Sequence, residues 1–363
     1  MVKALEPRFD IVAPHSAAWP RNSEGCVAVF PDGRWLLTWT GFYGGFRDPS
    51  PAHIMGRWSD DKGETWTEPS ILLKNDGKCN VIGVSVTVFS DGTVGWVHAR
   101  TDDESCFLSW PFFRKSADGG KTFGPHRVMV PMDTWHGFSV NGVLRQLSTG
   151  HILLPVQWNT TPPMVVGESF VQAAYSDDMG ESWKLSRNTV AVRGTPERGG
   201  PNPSGAEEPA AFERKDGTIM FLMRTHMGTI FAAESADGGE TLSESYDTGL
   251  ECPAAPSSVG RIPATGDVLL VWNRARPDHL GSGEPRTPLA TAISRDEGRT
   301  WGHFKLLETD TSRNYMYPAL SFDGDTALVL YSQGSLSSVQ QWSSNWHNTS
   351  LKLARVPYQW FYQ

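Results

Sequence analysis

No stretch of eighteen apolar residues occurs in these 363 residues, so the chain offers no candidate for a membrane-spanning helix. MVKALEPRFD lacks an apolar h-region, and the expectation is a cytoplasmic protein, or a secreted or periplasmic one if a leader has been removed. There is no run of Lys and Arg and no low-complexity tail, and the formal net charge is −8, which disfavours nucleic acid or an anionic membrane as partner. Cysteine is scarce. Cys26, Cys79, Cys106 and Cys252 have neither metal-ligand nor redox spacing and are expected as small buried hydrophobes, with a disulfide pair left open. No His/Cys/Asp cluster has ligand spacing either, so neither a metal nor an organic cofactor is expected.

Aromatic and turn-forming residues are abundant. Fifteen Trp, seventeen Phe, thirty-six Gly and twenty-five Pro fit short aromatic strands joined by many turns. The pattern S-x-D-x-G-x-[TS]-[aromatic or Leu] occurs five times: SDDKGETW from Ser59, SADGGKTF from Ser116, SDDMGESW from Ser176, SADGGETL from Ser235 and SRDEGRTW from Ser294. Successive serines stand 57, 60, 59 and 59 residues apart. Ser and Asp side chains close a turn on nearby backbone N–H groups, and Gly supplies positive φ, so these aspartates are folding residues.

A second periodicity lies between the boxes. Asp32-Gly33, Asp91-Gly92, Thr149-Gly150, Asp216-Gly217, Thr265-Gly266 and Asp323-Gly324 each separate two apolar runs, as two antiparallel strands and their turn would. Six such hairpins, five followed by a box hairpin, predict an all-β fold, a six-bladed β-propeller occupying residues 1–363 as one unit. The sixth blade lacks a box and is expected to be completed by LKLARVPYQWF with FDIVAP from the N-terminal end.

Equivalent positions then converge at the mouth of the central channel. Nine residues before the turn glycines stand Glu24, Gly83, Asn141, Glu208, Ser257 and Tyr315; seven residues after them stand Thr40, Ala99, Gln157, Arg224, Asn273 and Tyr331. Glu208, Arg224 and Tyr315 are therefore predicted neighbours.

On these motifs the chain resembles the sialidase superfamily of Asp-box propellers, over nearly its whole length. The resemblance implies a tyrosine nucleophile, a glutamate that takes its proton, an aspartate acid/base and three arginines on a sugar carboxylate. EEPAAFERKDGTIMFLMR then supplies Glu208 and Arg224, RTPLATAIS supplies Arg286, and NYMYPALSFDG supplies Tyr315 with Tyr317 as its rival. The family's first arginine aligns with Ser23; Arg21 is its candidate replacement, and Glu24 is an extra anion beside it. Asp48 is the only acidic residue on the loop before the first box and is taken as acid/base, with His53 competing. His53 and Asn141 are further pocket candidates, and His136 faces the same mouth. Arg100 and Arg274 are read as rim charges, and the Arg193 to Pro209 connection as either a lid or a plain insertion.

The implied activity is a retaining exo-glycosidase removing sialic acid or a related carboxylated sugar. A phenol suits that task because a carboxylate nucleophile would be repelled by a substrate carboxylate. Two alternatives stand beside it: a propeller polysaccharide lyase acting on uronic acids, and a glycan-binding propeller without catalysis.

Overall fold

The computed structural model describes residues 5–102, 109–131, 142–159, 169–195, 198–203, 205–275, 285–336 and 348–363. Six four-stranded antiparallel sheets follow the two periodicities of the sequence. Blade one runs through Arg21–Val29, Trp35–Phe42, Ala52–Ser59 and Ser70–Leu73, and the next four blades repeat that meander. Blade six has the order Arg313–Asp323, Thr326–Ser335, Ser350–Pro357 and then Arg8–Ala13 from the start of the chain. The ring is thus shut by the N-terminal strand, paired antiparallel with the last strand from Arg8↔Arg355 to Ala13↔Leu351.

Between adjacent blades lies an apolar seam. Blades one and two meet through Ala28, Leu36, Val86 and Trp96; blades six and one meet through Val27, Trp35, Leu328 and Leu353. Each such large side chain contributes roughly 1.5–3 kcal/mol when fully buried. The second strands of blades one, four and five are buried along their whole length, so their apolar runs are nearly continuous.

The five boxes are built alike. Ser59 Oγ donates to Asp61 Oδ1 at 2.9 Å and accepts from the Gly63 N–H at 2.7 Å. The Thr65 N–H and hydroxyl both donate to Asp61, at 2.8 and 2.6 Å. Asp118, Asp178, Asp237 and Asp296 repeat the arrangement. The Thr65 hydroxyl holds the Asp61 carboxyl down at about 2, and the Thr122 hydroxyl holds Asp118 well below its usual range. A carboxyl depressed by folding stabilises the native state above its unfolded value, near 4, and that contribution is lost as pH falls through about 2. The urea midpoint is therefore expected to fall steeply between pH 4 and pH 2, and less steeply in Asp61→Asn. A midpoint flat over that interval would contradict this account of the boxes.

The box hairpins join third to fourth strands and the D-G or T-G turns join first to second strands. Antiparallel pairing puts both kinds of turn at one end of the ring and leaves the opposite end for the site. Cys79 is disulfide-bonded, whereas Cys26 and Cys252 are buried and stand outside any disulfide.

Candidate active site

The inner strands of blades one, four and six share one irregularity at the end away from the turns. In blade one Ser23 pairs with Thr40 and Cys26 with Thr38, so Glu24-Gly25 face a single residue, Trp39. In blade four Glu207 pairs with Arg224 and Ala210 with Leu222, so Glu208-Pro209 face Met223. In blade six Met316 pairs with Ser332 and Ala319 with Leu330, so Tyr317-Pro318 face Tyr331. These are β-bulges, which re-aim a side chain where pairing is interrupted. Their first residues have φ of 53°, 41° and 53°, positive values that are uncommon outside glycine. The same local device, repeated in three blades, thus presents Glu24, Glu208 and Tyr317.

The Tyr317 hydroxyl donates to Glu208 Oε1 at 3.3 Å. Arg224 Nη1 donates to Glu208 Oε2 at 2.6 Å, and its Nε lies 3.2 Å from Glu207 Oε2. His226 Nε2 stands 3.5 Å from the other oxygen of Glu207. The Arg286 guanidinium lies 5.3 Å from the Tyr317 ring centroid and donates through Nη2 to the Ala254 carbonyl at 3.1 Å. A cis Thr287-Pro288 bond follows it. Arg286 is held from both sides: its N–H donates to Asn314, and its carbonyl accepts from Asn273.

On the blade-one side Arg21 has no exposed surface. It donates to Asp48 Oδ1 at 2.6 Å, to Glu24 Oε1 at 2.7 Å and to the Phe46 carbonyl at 3.2 Å, with its guanidinium over the Phe42 ring at 4.3 Å. Asp48 stays reachable, with 45% of its side chain exposed. Its loop is pinned to blade two by Asn80, whose amide donates to the carbonyls of Asp48 and Ser50 at 2.6 and 3.0 Å.

Burial and these pairings set the protonation states. Burial, then Glu208, pushes the Tyr317 phenol well above 10, with Glu24 and Asp48 adding to the rise and Arg286 opposing it. Burial pushes Glu207 up, but Arg224 and His226 outweigh it and hold its carboxyl down at about 2. Burial also dominates at Glu24 and, with Asp48 and Glu208 as like charges, prevails over Arg21 and raises its carboxyl to about 7. A neutral phenol on a carboxylate oxygen is an arrangement for removing the phenolic proton as the phenol attacks.

Tyr315 is not at this site, which corrects the expectation that it partners Glu208. Its hydroxyl donates to the Asp310 carbonyl at 3.2 Å, and its ring is buried between blades five and six against Tyr331. The reason is the turn. In blade six Asp323 pairs with Thr326 across only Gly324 and Asp325. In blade one the Phe30 N–H donates to the Arg34 carbonyl across Pro31, Asp32 and Gly33, so glycine comes last there and first in blade six. Counting back from glycine therefore overshoots by two residues. The bulge, and not the ninth position, is the true equivalent.

His53 also lies apart from the phenol and its acid. Its Nδ1 accepts the Asn75 N–H at 2.9 Å, and its ring packs against Tyr43 and Trp19 on the rim, so its described contacts include none with Glu208, Tyr317 or Asp48. Asn141 and His136 lie outside the described residues. Arg100 is a rim ion pair with Asp102 at 2.7 Å. Glu207 and His226 were not anticipated: the Glu-Glu doublet was legible, but only the bulge shows that both glutamates reach one arginine. Among the described residues no cluster of three His, Cys, Asp or Glu could hold a metal, and no helix is long and apolar enough to cross a membrane.

Residues 53–330 match the BNR repeat-like domain family, which is most of the chain. The chain belongs to that family. This BNR propeller is 25% identical to a sialidase of Micromonospora viridifaciens over 357 residues, covering 90% of the chain and 52% of that protein. It thus spans about half the length of its curated relative. Among solved structures, the NanB sialidase from Streptococcus pneumoniae superposes with a TM-score of 0.72 at 15% identity, covering 96% of this chain and 70% of that one. The covalent intermediate of Trypanosoma rangeli sialidase with 2,3-difluorosialic acid gives 0.72 at 15% identity, covering 96% and 58%. A Dyadobacter fermentans protein of unknown function gives 0.71 at 18% identity, covering 96% and 99%. The architecture is the sialidase-like six-bladed propeller.

Proposed function

We propose that this propeller is a glycoside hydrolase working with retention at the anomeric carbon. Tyr317 attacks that carbon while Glu208 takes the phenolic proton, and Arg224 stabilises the Glu208 carboxylate before the transfer. Asp48, on the exposed side of Arg21, protonates the leaving group and then activates the water that releases the sugar. The observation that carries the reading is the Tyr317 hydroxyl resting on the Glu208 carboxylate, itself held by a buried arginine. The substrate is a terminal sialic acid or a related carboxylated sugar, in line with the sialidases it resembles, with the Arg286 guanidinium over the nucleophile's ring at 5.3 Å. A lyase reading would need a His or a Tyr as base, with arginines neutralising a uronic carboxylate. His53 is engaged by the Asn75 amide on the rim, which speaks against it as that base.

A 2,3-difluorinated sialosyl fluoride tests the reading. It is expected to inactivate the protein and to leave one sugar on the peptide that contains Tyr317, read by mass spectrometry. Labelling of another residue, or an unsaturated product from a natural glycan, would refute retention through Tyr317.

A further inference from the structure

We infer that Glu24 stands in the site as a neutral carboxylic acid whose Oε2 hydroxyl donates a hydrogen bond to an oxygen of the bound glycone, which makes it a specificity-determining residue. The inference rests on the glycosidase reading for the identity of the ligand. It does not rest on it for the state of Glu24.

Three observations support it. Glu24 occupies in blade one the bulge position that Glu208 and Tyr317 occupy in blades four and six, so the fold presents it to the same basin. Its Oε1 is bound by Arg21, but its Oε2 is buried and has no hydrogen-bond partner among the described residues, and the residue as a whole is only 4% exposed. A buried polar atom left unmade carries its full desolvation cost, and a charged one more than a neutral one. Arg21, moreover, serves two acids at once, since Asp48 takes its other amino group.

The groups facing Glu24 decide its proton. Arg21 on its own strand favours the anion. Burial comes first against it, and Asp48 from the neighbouring loop and Glu208 from blade four add their charge. Tyr317, from blade six, also faces it, and remains neutral. With a carboxyl raised to about 7, Glu24 carries its proton below that pH and loses it above. A protonated acid has a donor to place, and nothing described in the protein accepts it. The acceptor is supplied by the ligand, as a glycone carboxylate or as a ring hydroxyl oxygen.

The test is calorimetry on the full chain carrying Tyr317→Phe, so that bound glycoside is not consumed. The probes are 3′-sialyllactose, its carboxyl-reduced analogue and lactose, each at pH 6 and pH 8.5. At pH 6, Glu24→Met is expected to weaken binding of the preferred probe about tenfold, the size of one lost hydrogen bond in a buried site. Glu24→Gln keeps an N–H donor and cannot ionise, so it is expected to bind within about threefold at both pH values. The parent should lose about tenfold between them. An effect of Glu24→Met confined to 3′-sialyllactose identifies the carboxylate as acceptor; one that persists on the reduced analogue identifies a hydroxyl. Equal affinities for Glu24→Met and the parent at pH 6, a Glu24→Gln form that still weakens at pH 8.5, or no binding of any probe would each overturn the inference. Failure of the hydrolase reading shows up separately, as wild-type protein that binds a probe and releases no sugar from it.

Discussion

Tyr317→Phe is expected to abolish hydrolysis, lowering kcat by a factor on the order of 10³ to 10⁶, the range seen when a covalent nucleophile is removed. The change deletes one oxygen. Its ring environment, including Arg286 at 5.3 Å, is untouched, so KM should change little, and the unfolding midpoint should fall by no more than the lost hydrogen bond to Glu208, about 1 kcal/mol. The informative control is two residues away. Tyr315→Phe is expected to leave kcat within about twofold, because its hydroxyl bonds the Asp310 carbonyl inside the seam between blades five and six. Its cost falls on stability, about 1 kcal/mol for one buried hydrogen bond. Initial rates of both variants on the same aryl sialoside decide the matter. A dead Tyr315→Phe beside an active Tyr317→Phe would reverse the assignment and with it the role of the bulge.

The second large effect is expected at Arg224. Its guanidinium binds Glu208 at 2.6 Å and Glu207 at 3.2 Å, and all three side chains are largely buried. Arg224→Ala leaves two adjacent carboxylates without their shared guanidinium, one of them beside the His226 ring. Breaking a buried ion pair by removing one partner costs about 3–5 kcal/mol. Linkage gives a consistent figure. Glu207, held at about 2 against an ordinary 4.5, contributes roughly 3 kcal/mol above pH 4.5, and that contribution fades as pH falls through 2. Without Arg224 that contribution shrinks, because only His226 and Arg286 are then left to oppose burial. Arg224→Lys keeps the charge, but a single ammonium cannot reproduce the fork that reaches both acids, so an intermediate loss is expected. Urea unfolding at pH 7 measures both variants. An Arg224→Ala protein as stable as wild type would show that the two glutamates do not depend on that guanidinium.

The six blades were legible because two independent periodicities agree, one of turns and one of boxes. Each box is a local device whose Ser, Asp, Gly and Thr act within eight residues. Even the joining of FDIVAP to the last strand could be inferred from the missing sixth box. Glu208 and Arg224 were legible because blade four keeps the ordinary turn length. The tyrosine was misread by two residues because blade six has a tighter turn, and a count anchored on glycine cannot detect where in the turn that glycine sits. Arg21 illustrates a different limit. The sequence places it beside Ser23 as a candidate sugar clamp, whereas in the fold it is enclosed by Phe42, Phe46, Asp48 and Glu24. Pairing between residues 27 positions apart, as for Arg21 and Asp48, leaves no periodic trace.

The closing of blade six by the strand Arg8–Ala13 also orders events during synthesis. Asp10 meets Arg355 across 345 positions of chain, so the first strand must wait for nearly everything else to be translated. Tyr317, the proposed nucleophile, arrives late as well, in the last blade, while Arg21 and Glu24 emerge early in the first. A growing polypeptide on the ribosome therefore carries an unsealed arc with no working pocket, and competence appears only when the two ends of the circle meet.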